Sequence, residues 1–408
     1  MTVELTIDSL GAGGDGVARD AGGRVTFVSR SAPGDRVRVD ITEEKKQFAR
    51  ASIVEILEPS PDRVAPPCAL FDRCGGCQWQ HVSAEAQLRA KQDIVASALR
   101  HALDAGMELR PIVAKVSPLG WRRRARMHWV RRQKGRGVML GFYEAGSRHV
   151  VDVPECPQLE PALQAALVEL RERLAPGLSG SGELSMVLGA AGDVHVDVRG
   201  PCDPRAVASV VGKAGIAGVR IGRREVGAAG VEVDPGIHVG AREFAQASRA
   251  GNDALCEVVD EATSSRHGKR VLELYAGGGN LTRVLADGAA QVVAVDAAPG
   301  GRRKGVSWRK GDVADVAATF AETGEVFDIA VLDPPRAGAA DVMSALAAIA
   351  PPFIVYVSCN PATLARDIER LRGAGYRPAW ARAVDLMPQT SHVEVVATLT
   401  RPAAETTV

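Results

Sequence analysis

Val271-Leu272-Glu273-Leu274-Tyr275-Ala276-Gly277-Gly278-Gly279-Asn280 is the stretch on which the fold turns. An apolar run of strand length stops at three glycines, and a helix-like pattern follows. Glycines at such a junction let the backbone approach a ligand closely. Outward from it, Val-rich runs recur at residues 291–295, 329–332 and 354–357, separated by helical patterns and turns. This alternation predicts a doubly wound parallel sheet, a Rossmann-like α/β domain over residues 236–408. The second run ends in Asp296, at a strand tip suited to hydrogen bonding both ribose hydroxyls of an adenosine. The glycines lack the G-x-G-x-x-G order of a dinucleotide site, and alone they fit an ordinary strand–helix turn equally well. Together with Asp296 they point to an adenosine-bearing ligand.

The next strands carry reactive groups. Ala330-Val331-Leu332-Asp333-Pro334-Pro335-Arg336 ends in Asp-Pro-Pro at the sheet edge where ligands of open α/β sheets bind. The prolines fix the backbone there and offer no amide donors. A charged Asp closing so apolar a strand wants a partner. Such a segment at this place is common in methyltransferases acting on planar bases, which selects S-adenosylmethionine over NAD. Ile354-Val355-Tyr356-Val357-Ser358-Cys359-Asn360-Pro361 brings Cys359 to the same edge, ahead of a helix. A lone Cys after a strand is often an inert core residue. Here the helix N-terminus is expected to lower the thiol pKa. In Ser391-His392-Val393-Glu394-Val395-Val396, Glu394 interrupts an apolar run, as either a surface group or a base in the same cleft.

These groups suit one reaction. Uracil C5 is a poor nucleophile until a thiolate adds to C6 and turns the ring into an enolate. After C5 has attacked a methyl carbon, a base must remove the C5 proton before the thiolate can leave.

Toward the front, residues 1–58 read as short strands with turns at residues 11–16 and at Pro33-Gly34, a small β-barrel. Pro59, Pro61, Pro66 and Pro67 mark a boundary. A cysteine-bearing loop follows over residues 68–83. Residues 84–103 read as an amphipathic helix with Ser83 as N-cap, and a mixed α+β region extends to about 235. The 408 residues therefore divide into residues 1–58, 59–235 and 236–408. Net charge is +1, so any RNA contact must rest on local charge. Residues 121–132, Trp-Arg-Arg-Arg-Ala-Arg-Met-His-Trp-Val-Arg-Arg, carry such charge with two tryptophans and no acid. That is either one solvated basic strand face or an RNA contact with Trp121 and Trp129 stacking on bases. The seven cysteines are odd in number and unevenly spaced, arguing for metal binding or catalysis over disulfides. No apolar run approaches the ~20 residues of a membrane span, and residues 1–10 do not read as a signal peptide. The expectation is a cytoplasmic monomer with no membrane partner.

The segments Asp333-Pro-Pro-Arg-Ala-Gly338, Ser358-Cys-Asn-Pro-Ala-Thr-Leu-Ala-Arg-Asp367 and His392-Val-Glu394 resemble the uracil-5 RNA methyltransferases that modify 23S ribosomal RNA or the tRNA T-loop. The resemblance implies Cys359 as nucleophile and Glu394 as general base. It implies S-adenosylmethionine held by Gln246, Tyr275, Asn280, Asp296 and Asp333, with rRNA or tRNA as partner. It extends forward: residues 1–58 look like a TRAM domain, an RNA-binding barrel. Cys68, Cys74, Cys77 and Cys156 are similar to the four thiolates that hold a [4Fe–4S] cluster in many members. Structural zinc is the alternative, although only one C-x2-C unit exists here. Cys202 and Cys256 are read as core or incidental.

Two departures stand out. After Asp296 only residues 297–306 precede Ser307-Trp308, so a helix is shortened or lost. Ser248 also stands near a position where the family often has Asn after the Gln. An RNA-binding or ribosome-assembly factor that keeps the fold without catalysis is the reading the shortened helix would favour. An amino-group methyltransferase would place an aromatic residue where Arg336 stands.

Overall fold

The computed structural model describes residues 2–132, 137–298, 300–301 and 303–402. At the front, the strands Thr2–Thr6, Ser9–Leu10, Gly16–Arg19, Val25–Ser29, Arg36–Glu44 and Phe48–Glu58 form one six-stranded sheet. Period-two alternation builds it: Val37 and Val39 are fully buried, while Arg36 and Arg38 face outward. The outward cations are paired across the sheet, Arg36 with Glu58 at 2.5 Å, Arg38 with Glu4 at 3.1 Å, and Arg50 with Asp15 at 2.9 Å. That face is a ladder of ion pairs.

Ser83 caps the following helix, accepting the Ala86 N–H at 3.3 Å. The helix expected over residues 84–103 is divided. Ala84–Ala98 stops where Leu99 leaves helical torsions at φ −90°, ψ 8°, and Arg100–Asp104 follows. The strand Glu108–Val113 then runs parallel to Arg377–Val384 at the edge of the distant C-terminal sheet. Val95, Leu99, Ala102 and Met107 share that sheet's core with Leu272, Tyr356 and Leu399. A segment that the sequence groups with the central region thus docks on the C-terminal sheet.

The central region is a second six-stranded sheet, in the order Arg224–Gly227, Ile216–Ile221, Val194–Arg199, Ser181–Leu188, Arg124–Arg131, Val138–Gly141. Leu163, Leu167, Met127, Trp129 and Val196 form its core beneath the helix Pro161–Glu169.

The C-terminal sheet has eight strands, in the order Val306–Lys310, Gln291–Asp296, Arg270–Leu274, Ile329–Leu332, Phe353–Ser358, Glu394–Thr400, Arg377–Val384, Glu108–Val113. The first five are mutually parallel. Glu394–Thr400 is antiparallel to both neighbours, so its first residue lies at the carboxyl ends of the parallel strands. Apolar clusters cover both faces, as a sheet with nearly continuous hydrophobic strands requires. Among the described residues of the shortened segment 297–305 there is no helix, and Pro299 and Arg302 lie outside the described residues. The Trp308 ring lies over the glycine turn instead: a Cβ on Gly279 would sit 3.4 Å from it. Trp308 Nε1 donates to the Gly301 carbonyl at 2.9 Å.

Candidate active site

Three adjacent strands bring the sequence-selected groups together. Ile329–Leu332 ends at Asp333, Phe353–Ser358 ends at Cys359, and Glu394 opens the antiparallel strand between Phe353–Ser358 and Arg377–Val384. Ser358 pairs with Val395, so Cys359 and Glu394 are the next residues along this pairing. The Cys359 thiol lies in the electrostatic reach of Glu394, Arg336 and Asp333.

The block after Cys359 fastens this edge. Asn360 caps the helix Pro361–Gly373, accepting the Ala362 N–H at 3.1 Å, and its Nδ2 donates to the Arg336 carbonyl at 3.2 Å. Arg366 Nη2 donates to the Ala337 carbonyl at 2.9 Å. Asp367, fully buried, accepts the Ala339 N–H and the Tyr356 hydroxyl, both at 2.8 Å. Gly338 sits at φ +81°, where a Cβ would fall 2.5 Å from Arg366 Nη2 and 2.6 Å from Asp367 Oδ2. Side chains of one helix thus hold the loop that carries Asp333 and Arg336, which accounts for the residue types in that ten-residue stretch.

The electrostatics differ from expectation at the thiol. Burial pushes the Cys359 pKa up, the Glu394 carboxylate pushes it further, and only then does Arg336 pull it back. The expected lowering by the helix N-terminus is thus corrected. The helix end is already capped by Asn360, and two carboxylates share the cleft. Glu394 is buried and its pKa is pushed up to about 8, first by burial and then by Asp333, against Arg336. The surface-facing alternative for Glu394 is excluded by that burial. Burial raises Asp333 to about 7. His392 is pushed down to about 4, first by burial and then by Arg336, so it is neutral near pH 7. Arg336, with its Nη2 3.4 Å from both ring nitrogens of His392, is the cation common to Cys359, Glu394 and His392. The sequence reading gave Arg336 no role in the chemistry, using it as part of a motif and against an amino-group methyltransferase; its place directly after Asp-Pro-Pro was the available signal.

Around the glycine turn the residues fit an adenosine-bearing cofactor. Gly277 is at φ +54° with open space where a Cβ would be. Asp296 Oδ2 accepts the Gly277 N–H at 2.9 Å and Oδ1 the Ala298 N–H at 2.8 Å, leaving lone pairs on both oxygens. Tyr275 takes φ +64°, and its hydroxyl reaches Asp341 at 3.1 Å. Glu273 Oε2 is buried with no partner beside this turn. Asn280 exchanges two hydrogen bonds with Asn252, at 2.9 and 2.7 Å. Asn252, which the sequence reading passed over, stands one turn inside the helix Arg249–Ala262. Ser248 caps that helix, accepting the Gly251 N–H at 3.1 Å, so a capping role accounts for it. The Gln246 carbonyl accepts from Arg123 Nε at 2.8 Å, and Phe244, two residues earlier, is 72% exposed.

Cys68, Cys74, Cys77 and Cys156 line one cavity together with Gln80, Arg122 and Gln158. Among the described residues, no three His, Cys, Asp or Glu side chains are placed to hold a single metal ion. Burial raises the pKa of Cys74 and Cys156, and that of Cys77 to about 11. Arg122 Nε, Gln80 Oε1 and both amide atoms of Gln158 are buried around this cavity without partners. Cys202 and Cys256 lie elsewhere; Cys256 is buried against Arg283, whose Nη2 donates to its sulfur at 3.2 Å.

The basic stretch 121–132 also departs from expectation. Trp121 and Trp129 are 4% and 1% exposed, so neither can stack on a base. Trp129 shares strand parity with Ala125 and Met127, which face the core. The outward side of that strand carries Arg126 and His128, and the His128 ring stacks on Tyr143 at 3.8 Å between centroids.

Two family models match the chain: the TRAM domain over residues 1–54 and "tRNA (Uracil-5-)-methyltransferase" over residues 323–402. The 23S rRNA (uracil(1939)-C(5))-methyltransferase RlmD of Pectobacterium atrosepticum is 34% identical, covering 96% of this chain and 92% of its own. RlmD of Alkalilimnicola ehrlichii is 34% identical over 98% and 97%. The Pyrococcus abyssi tRNA (uracil-54, C5)-methyltransferase, solved with S-adenosyl-L-homocysteine, superposes with a TM-score of 0.70 at 23% identity, over 98% of this chain and all of that one. The chain therefore has several domains, with a TRAM domain at its front and a methyltransferase fold. With Asp333, Cys359 and Glu394 at adjacent strand ends, a glycine turn beside Asp296 and full-length likeness at this level, the chain belongs to the uracil-C5 RNA methyltransferases.

Proposed function

We propose that this chain methylates C5 of a uridine in 23S ribosomal RNA, with Cys359 adding to C6 and Glu394 removing the C5 proton. The observation that carries this reading is the meeting of Cys359, Glu394 and Asp333 at three neighbouring strand ends. The Cys359 thiolate forms the Sγ–C6 bond, and the displaced electron pair makes C5 nucleophilic. S-adenosylmethionine, when bound, would supply the methyl carbon, its sulfonium sulfur taking back the S–CH3 electron pair and leaving as the neutral thioether, and Gln246, Tyr275, Asn280, Asp296 and Asp333 are the residues read as holding it. The C5 proton then passes to the Glu394 carboxylate; the C5–C6 double bond reforms as the Sγ–C6 bond breaks, returning the thiolate. Arg336 offers charge to the thiolate that comes and goes. We expect 5-methyluridine at one 23S rRNA site to vanish from cells lacking the protein, by mass-spectrometric mapping. Loss from tRNA alone would move the substrate to the T-loop.

The pH dependence follows from the two groups. Glu394 acts ionised and its pKa is about 8, so turnover rises with pH through 8. Cys359 acts as thiolate and is also displaced upward, so it adds to the rise in the same direction. Between pH 6 and 7 the rate should climb about tenfold where one of these ionisations limits it, and up to about a hundredfold where both do. A rate profile from pH 6 to 9.5 checks this; a flat or falling profile across pH 7–8 would contradict it.

We read residues 1–58 as the TRAM unit, 59–235 as the central unit with the RNA-contact strand, and 236–408 as the Rossmann-like unit, in a cytoplasmic monomer. The run of parallel strands supports the last of these units. Among the described residues no helix is long and apolar enough to cross a membrane. On the central sheet, the outward Arg126 and the His128–Tyr143 pair are the groups that would meet RNA phosphates and bases. The four-thiol cavity is the place for a [4Fe–4S] cluster, with Arg122 and Gln158 as unpartnered donors around it. Structural zinc is the alternative, although only one C-x2-C unit is present. Cys74→Ser should bleach a brown chromophore and lower the iron and sulfide content. A purified protein with zinc and neither iron nor sulfide would contradict the cluster.

A further inference from the structure

The turn that leads into Glu394 is held largely by residues some 300 positions away. Residues 385–391 connect the strand Arg377–Val384 to His392 and Glu394. Within it Gln389 stands at φ +66°, a conformation that a non-glycine residue keeps only when its surroundings impose it. Those surroundings are specific. The Gln389 carbonyl accepts the N–H groups of Gln78 and Trp79, both at 3.0 Å. Its N–H donates to Gln87 Oε1 at 2.9 Å, and its Oε1 accepts from Gln87 Nε2 at 3.0 Å. One helical turn beyond Gln87, Lys91 Nζ donates to Asp385 Oδ1 at 2.6 Å and to the Met387 carbonyl at 3.0 Å. Lys91 is completely buried, and Asp385 nearly so. Gln87 and Lys91 are i and i+4 on the helix Ala84–Ala98, so one helix face grips both ends of the turn. The N-terminal sheet contributes as well. Trp79 Nε1 donates to the Gly14 carbonyl at 2.9 Å, and a Cβ on Gly14 would lie 2.7 Å from Gln78 Cγ and 3.7 Å from Ser391 Oγ.

We infer that Gln87 and Lys91 are positioning residues for the base: the helix Ala84–Ala98 locks the turn 385–391 and thereby aims Glu394 at the reacting ring. The inference rests on the reading of Glu394 as base. Cys359 and Asp333 are held independently, by Asn360, Arg366 and Asp367. Loosening the turn therefore has a selective consequence. Addition to C6 and methyl transfer continue, and proton removal with release of the sulfur slows.

The test is a time course of Gln87→Ala with a substrate RNA and the methyl donor. Free methylated product and the covalent RNA–protein adduct are separated on a denaturing gel. Turnover should fall about 10- to 100-fold, because small misplacement of a catalytic group costs on that scale. Adduct should accumulate severalfold above the unaltered protein, while affinity for the donor stays within about twofold. General destabilisation would depress adduct and product together. Should Gln87→Ala not fold, Gln87→Met keeps the length and bulk of the side chain while losing both hydrogen bonds to Gln389, and the same accumulation is expected. Glu394→Gln runs in parallel. If it accumulates adduct and neither Gln87 variant does, the positioning role is overturned while Glu394 remains the base. If Glu394→Gln gives no adduct, both readings fall. Combining Gln87→Ala with Glu394→Gln should add nothing to the adduct level of Glu394→Gln alone, because both act through one carboxylate.

Discussion

Cys359→Ala is expected to abolish methylation, with turnover falling on the order of 10⁴-fold or more, while RNA affinity stays within about twofold. Without the sulfur no covalent bond forms at C6, and C5 has no route to nucleophilicity. The substitution removes one atom from a side chain that is only partly buried. The loop is held by neighbours: Ser358 Oγ accepts the Asn360 N–H at 3.1 Å, and Asn360 ties the Arg336 carbonyl. Stability should therefore change by less than about 1 kcal/mol. Incorporation of labelled methyl groups into RNA, with binding measured in parallel, checks both halves. Methylation within about tenfold of the unaltered rate would remove Cys359 from the chemistry.

Glu394→Gln is expected to leave the first bond-forming steps intact and block release, so that an RNA–protein adduct resistant to denaturation accumulates. General-base contributions run to about 10²–10⁴-fold, and the loss of turnover should fall in that range. The substitution keeps the shape and cannot take a proton. The native carboxyl, raised to about 8 by burial and by Asp333, is itself mostly uncharged at pH 7, so an amide there should be tolerated by the fold. The adduct of the variant should release no faster at pH 9 than at pH 7, whereas release by the unaltered protein accelerates over that interval. Free methylated RNA made by the variant at the unaltered rate would place the base elsewhere.

The meeting of these three side chains is legible in the sequence because its signals are local. Asp333, Cys359 and Glu394 each terminate or open an apolar run, and strand ends in such a sheet share one edge. What escaped depends on contacts between distant residues. Lys91 and Asp385 are 294 positions apart, and neither has a neighbour in sequence that announces the pair. The docking of Glu108–Val113 on Arg377–Val384 escaped for the same reason. The direction of the thiol shift is not visible in the helix end alone, because it is set first by burial of the thiol and then by the carboxylates facing it across the strands. The tryptophans are different: the alternation Ala125, Met127, Trp129 already placed Trp129 with the core-facing side chains, and charge content obscured it.

The bond between sulfur and ring is the point on which the account stands. Glu394→Gln incubated with RNA and methyl donor, then digested with ribonuclease and trypsin, is the measurement that bears on it most directly. Mass spectrometry should find the peptide containing Cys359 carrying a uridine nucleotide plus one methyl group. A modified peptide from any other part of the chain, or RNA methylated with no nucleotide ever attached to Cys359, would contradict it.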